Sequence, residues 1–436
     1  MRTMFIRVGL ILLLAASPLL AQVESGALPA AVATDMVTPA PVSVEGTSLA
    51  FAAEAGDSNY LSGGLSFGSA YDNDLLARGV GDVNYSVRPS IAINKSTARL
   101  HWDFFYSPGF EFYQRSTSFS QSAHDLAADF QYRLSPHTTL TLRNTLSKSS
   151  DLPYHFDPNP IGPETGILQS PNPSVISSIA NTIFNKAAGQ ITYQFSASQM
   201  IGVSGTETER RYLHEVQVPG LFNWSTRGGM AFYALRLSGR HYVGVTYQFQ
   251  QLISHPNGSE TQIHGGFLFY TLHVDPMFSI SFFGGPQYFE VSRFGITTEP
   301  RWSPAAGANV EWQRARTSAS LSFTHRVNDG GGLLSAVISD GADLSLRRKL
   351  TSSLTMGLSG SYWNNRTADP LLPGNNGHTA SGSLSIQRAI GEHLSLQLGY
   401  TRAHESYSNL PIVSNVPDRN RAWAAISYTF SKPLGR

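Results

Sequence analysis

From Tyr60 to the C-terminus one pattern recurs. Apolar side chains alternate with Ser, Thr, Gln, Gly or a charge, the chain breaks, and the alternation resumes. Period two is the signature of a β-strand with two unlike faces. Leu100, Trp102, Phe104 and Tyr106 alternate with His101 and Asp103. Leu394, Leu396, Leu398 and Tyr400 alternate with Ser395, Gln397 and Thr401. No stretch of similar length carries a 3.6-residue period. The best helical candidate, Val175–Phe184, lies inside a long loop.

The breaks also alternate in kind. Short ones fall at 94–97, 135–138, 196–199, 238–241, 275–277, 313–316, 347–352 and 388–392. Longer ones, rich in Gly, Pro and Asn, lie between them at 72–81, 114–122, 150–185, 213–224, 254–260, 291–301, 328–333, 364–378 and 406–419. Tight turns at one end and longer loops at the other are the pattern of a transmembrane barrel. A sheet in lipid must close, because an open edge would leave backbone groups unpaired. Eight turns and nine loops predict an all-β, antiparallel, up-and-down transmembrane β-barrel of about 18 strands, within a range of 16–20, over residues 58–436. The competing all-β folds are a periplasmic sandwich or propeller, neither of which requires short and long connections to take turns.

The N-terminus sets the compartment. Arg2 and Arg7 precede the apolar run Val8–Ala16, which is long enough for a signal peptide and too short to span a bilayer. Residues 1–22 read as a leader, with cleavage expected after Ala21. Residues 23–57 contain acids and no Lys or Arg, and read as a flexible periplasmic segment, with a short plug as the alternative. The location implied is the outer membrane of a Gram-negative-type cell.

Composition excludes several functions. The chain has no Cys, which removes disulfide scaffolds, zinc–cysteine sites, iron–sulfur clusters and cysteine nucleophiles. A net charge of +1 argues against a nucleic-acid partner. Charged residues make up 14%, against roughly 25% in ordinary globular chains.

Parity assigns the faces. Val83, Tyr85, Val87, Phe130, Tyr132, Ile191, Tyr193, Phe195, Val243, Val245, Tyr247, Leu321, Phe323, Leu354, Met356 and Leu358 are expected to face lipid. The polar parity carries Arg88, Arg99, Arg133, Arg143, Lys186, Arg210, Arg236, Arg326 and Arg347, with Asp103, Asp129, Glu311 and Asp343. Of 31 Lys+Arg and 30 Asp+Glu, two bases and five acids fall before residue 58, leaving 29 against 25 in the barrel. Fixed lumen charge biases the ions that enter. Two readings follow: mild preference for anions or acidic glycans, or a lattice of Arg–carboxylate pairs that only braces the wall. Phe105, Phe283 and Trp363 sit on the polar parity and are the only support for an aromatic slide for sugars. The proline-rich loop 150–185 either folds inward as a constriction or caps the surface.

Catalytic patterns are weak. In His255-Pro256-Asn257-Gly258-Ser259 the nucleophile position of an outer-membrane phospholipase is occupied by Asn257. His214-Glu215 and His404-Glu405 lack the second His at zinc spacing. No enzyme activity, cofactor or metal is expected.

The last strand is more specific. Ala424, Ile426, Tyr428 and Phe430 alternate with Ala425, Ser427 and Thr429. This resembles the terminal strand read by the barrel assembly machinery, although Ser431–Arg436 follow the final aromatic. With His241–Phe249, these residues resemble outer-membrane porin-like barrels, in particular the beta-barrel porin type 2 group. The resemblance covers about residues 58–436 and implies fold and location, with transport of small polar solutes following only by association. The alternatives are an exopolysaccharide export barrel and a non-conducting structural or adhesion barrel.

Overall fold

The computed structural model describes residues 59–434, apart from 74–80, 150–180, 214–221, 256–257, 276, 294, 331–333, 370–375 and 409–417. The leader over 1–22, the segment over 23–57 and most of the proline-rich loop fall outside the described residues.

The chain runs through β1 (Tyr60–Asp72), β2 (Asp82–Ser96), β3 (Leu100–Tyr113), β4 (Gln121–Arg133) and β5 (Thr138–Ser149). Next come β6 (Thr182–Ser196), β7 (Gln199–Tyr212), β8 (Asn223–Arg236), β9 (His241–His255), β10 (Ser259–Asp275) and β11 (Phe278–Arg293). The last third holds β12 (Ile296–Thr297), β13 (Arg301–Arg314), β14 (Thr317–Gly330), β15 (Leu334–Lys349), β16 (Leu354–Thr367), β17 (Gly377–Ile390), β18 (Leu394–Tyr407) and β19 (Asp418–Pro433).

All belong to one antiparallel sheet in which each strand pairs with its sequence neighbours and β1 pairs with β19. The sheet is therefore closed. The 19 strands include the two-residue β12, which only extends a loop by pairing with the end of β11, so 18 strands build the wall. The tight turns fall where the sequence breaks are short.

Outward parity forms the lipid belt. Phe67, Phe112, Tyr193, Val203, Phe323, Tyr362 and Tyr428 lie on the outer surface, exposed except for contact with their neighbours. On β19, Ala424, Ile426, Tyr428 and Phe430 take this parity. Closure is reinforced at the loop end, where Arg419 Nε donates to Asp72 Oδ2 (2.6 Å) with both side chains almost fully buried.

Two expectations are corrected. The helical candidate Val175–Phe184 ends in strand: Thr182, Ile183 and Phe184 pair with Ser149, Lys148 and Ser147 in β6. The β-branched pair extends the ladder before the loop can begin. Arg99 was assigned to the lumen wall but lies exposed in the turn between β2 and β3, where its carbonyl accepts from Arg133 N (2.8 Å).

Candidate functional site: the lumen

The inward faces of the strands form three unlike walls. The first, on β2–β5, is charged. Arg88 of β2 reaches Glu111 of β3 and Asp125 of β4, the latter at 3.2 Å. Ser147 Oγ of β5 donates to Asp125 Oδ1 (2.6 Å). Arg143 of β5 pairs with Asp129, its direct cross-strand partner on β4. Asp103 takes a hydrogen bond from Asn94 and lies 2.6 Å from His101 Nε2. Adjacent antiparallel strands bring opposite charges of like parity into reach, and this ladder does so repeatedly.

The second wall, on β7–β13, is apolar although it faces the lumen. Met200, Phe232, Ala234, Tyr242, Phe267, Phe269, Phe283 and Ala305 form one buried cluster. Its rings lie against glycines directly opposite on the next strand. Phe269 faces Gly244, Phe232 faces Gly202 and Phe283 faces Gly307. A Cβ at Gly244 would sit 2.2 Å from the Phe269 ring, and one at Gly307 2.1 Å from Phe283. Only the missing side chain lets these rings lie along the wall.

The third wall, on β14–β18, is hydroxylic. Ser320, Ser345, Ser359, Ser383 and Thr401 are successive cross-strand partners, one on each of five strands. Glu311 of β13 stands at one end of the row and Arg421 of β19 at the other. Ser345 and Ser359 point inward yet are exposed, so open space lies in front of them. Neighbouring hydroxyls bond across the strands, Ser359 to Ser383 and Ser361 to Ser381, each at 2.6 Å.

At the loop end the wall is interrupted. Pairing of β13 with β14 stops at Ala306↔His325, so that among the described residues Arg301–Ala305 have no strand partner on that side. Beyond this point β14 and β15 bend into the lumen together. Val327, Ala336 and Val337 are each at most 1% exposed, and Val327 and Ala336 pack with Leu252, Ile263, Phe289 and Val291 from β9, β10 and β11. Val327 N donates to Gln287 Oε1 of β11 (3.1 Å), and Ala368 N to Ala336 O (2.9 Å). Both faces of β15 are buried here, as Ala336 and Val337 show. The hairpin therefore narrows the lumen from the side of the apolar wall.

The remaining sequence-assigned charges take up scattered positions. Arg210 lies over the rings of Phe184 (5.6 Å) and Trp224 (5.9 Å), and Arg236 over Tyr242 (5.9 Å). Glu311 accepts from Asn309 Nδ2 (2.8 Å), and Asp343 from Trp363 Nε1 (3.2 Å). Lys186, Arg326 and Arg347 share the inward parity of their strands, and Arg133 closes β4 at the turn end. Asp103, Asp129 and Arg143 follow one another across β3, β4 and β5, and Arg88 lies on the same wall, bonded to Glu111 and Asp125.

Phe105, Phe283 and Trp363 do point inward, but they are buried, Phe105 between Ala92 and Ala127 and Trp363 over Gly341. They are packed wall rather than an exposed slide. His404 and Glu405 are adjacent on β18 and therefore point to opposite sides of the sheet, with Glu405 fully buried.

A closed barrel with an apolar outer belt and a lumen of charges and hydroxyls defines a class: the chain is an antiparallel transmembrane β-barrel of 18 wall strands. No protein-family model matches it, and no curated protein does. Among solved structures it is similar to OccK2 (OpdF) of Pseudomonas aeruginosa, at 9% identity and a TM-score of 0.45, covering 86% of this chain and 98% of that one. OccAB2 of Acinetobacter baumannii matches at 10% identity and a TM-score of 0.42, covering 85% and 98%. The FrpB iron transporter of Neisseria meningitidis matches at 10% identity and a TM-score of 0.41, covering 86% and 82%. These are likenesses of barrel architecture alone.

Proposed function

We propose that this barrel is a channel for small polar solutes, which pass along the hydroxyl wall beside the inward hairpin. The observation that carries the reading is the exposure of Ser345 and Ser359 on the inward face. A barrel of this strand number is wide enough for an aqueous path unless it is filled. Here the hairpin fills the β9–β11 side, while the serine row on β14–β18 remains accessible at Ser345 and Ser359. Hydroxyls donate and accept hydrogen bonds, so they replace the hydration of a sugar, an amide or a small acid without selecting one charge strongly.

Ion preference follows from the charged wall. Its acids are largely engaged by Arg88 and Arg143, so most fixed charge there is locally cancelled. The small basic excess of the barrel residues then gives a mild preference for anions or acidic glycans. The outward residues of β19 supply the strand offered to the barrel assembly machinery, and the belt supplies the contact with outer-membrane lipid. Export precedes both steps, with removal of the leader over residues 1–22.

Single-channel conductance in a planar bilayer under a salt gradient tests the reading. A steady current with a reversal potential slightly on the anion side is expected. A correctly folded barrel without current would overturn the channel reading. Cation preference would overturn the charge argument alone.

A further inference from the structure

We infer that the paired ends of β14 and β15, residues 326–330 and 334–338, are a gate that exchanges between two seats, one inside the lumen and one in the wall beside β13. The inference rests on the channel reading for its consequence, but its geometry stands apart from it. In the observed seat, Val327 and Ala336 pack on Leu252, Ile263, Phe289 and Val291. The second seat is the gap this leaves. Continued in its existing register, the β13–β14 ladder would bring Ser303 opposite Asn328 and Ala305 opposite Arg326, and would end with Arg301 opposite Gly330. Those last two residues are the first of β13 and the last of β14, so the strands are already the right length to zip closed.

The alternation fits this second seat as well as the first. In the wall, Val327 would continue the outward series of Leu321 and Phe323, and Arg326 and Asn328 would continue the inward series of Ser320 and Ser322. On β15, Ile338 would continue the outward series of Leu344 and Leu346.

The two seats trade opposite terms. The inward seat buries apolar surface but leaves the Arg301–Ala305 edge without strand partners on one side. The wall seat completes the ladder and uncovers the apolar patch on β9–β11. Pro304 lies in the unpaired stretch and has no N–H to leave unmatched there, which lowers the cost of the inward seat.

The absence of native Cys makes a double-cysteine test clean. Directly opposed residues in an antiparallel ladder have Cα atoms about 4.5–5.5 Å apart, within disulfide range. One variant, Ser303→Cys with Asn328→Cys, reports the wall seat. A second, Gln287→Cys with Val327→Cys, reports the lumen seat. Each barrel is folded in lipid, oxidised, and scored by loss of thiol labelling and by conductance. Both pairs are expected to cross-link. The wall-seat disulfide should raise conductance roughly twofold or more, because it clears the lumen of side chains, and reduction should reverse the change. Cross-linking of the lumen pair alone would overturn the exchange, as would failure of both pairs in a folded barrel. Cross-linking of the wall pair at unchanged conductance would overturn the gating role. If no current flows in either locked form, the channel reading fails, while the thiol data still decide whether the hairpin moves.

Discussion

The β2–β5 wall and the β8–β11 wall face the same lumen, yet one buries charge against charge and the other buries rings against glycine. On β2–β5, Arg88, Glu111 and Asp125 stay polar by satisfying one another across strands. On β8–β11, Phe267, Phe269 and Phe283 lie along the wall, and the hairpin covers the apolar surface above them. The difference teaches that a lumen wall can become self-sufficient in two ways, and only one of them needs a cover. A paired charge lattice is complete without further contact. An apolar patch takes a cover, and here the cover is the end of β14–β15.

Three substitutions put this contrast to work. Val327→Asp should have the largest effect, because Val327 packs directly on the β9–β11 patch. Burying a Val side chain is worth roughly 1.5–3 kcal/mol, and an unpaired carboxylate in the same place is costlier still. The hairpin should leave its seat, single-channel conductance should rise, and the barrel should remain resistant to detergent because the lower ladders are untouched. An unchanged conductance would mean that the apolar patch does not hold the hairpin. Arg88→Met should come next, and should act on stability instead of current. It strands the buried Glu111, and breaking a buried ion pair by removing one partner costs about 3–5 kcal/mol. The urea midpoint in lipid should fall, and the double variant with Glu111→Leu should recover much of the loss. If the single and double variants unfold alike, the lattice does not act as a pair. The smallest effect is expected from Gly307→Ala. The new Cβ meets only the Phe283 ring and displaces it, an overpacking cost of about 1–3 kcal/mol, partly relieved by swinging the ring into the lumen. Conductance should drop modestly, and adding Phe283→Leu should restore it.

The charged wall was more legible in the sequence than the apolar one. Parity is a local property, so Arg88, Asp103, Asp129 and Arg143 could be placed on one face from alternation alone. Register then brought Asp129 opposite Arg143. Arg99 was misplaced because strand ends shift by a residue or two, and the alternation does not mark where the turn begins. The hairpin could not be read at all from periodicity. Residues 321–330 alternate in the same way whether they complete the wall or fold beneath it. The signals available were weaker: the unbroken Ala336-Val337-Ile338, apolar on both parities, and Pro300 and Pro304 beside a stretch that proves to be an edge. The glycine–aromatic pairs were equally hidden, because they need the register of two strands before either residue acquires a meaning.

The barrel can also be regarded as a hoop, whose strength under tension is that of its weakest joint. The joint between the first and last strands would be the obvious suspect, since no peptide bond crosses it. Yet the β1–β19 ladder runs the length of β1, from Tyr60↔Pro433 to Asp72↔Arg421, and the buried Asp72–Arg419 pair rivets its loop end. The β13–β14 joint is covalently continuous through a turn but is sewn only from Arg314↔Thr317 to Ala306↔His325. Pulled sideways, by a stretched membrane or a probe tip, this cylinder should tear first in the middle of its own chain.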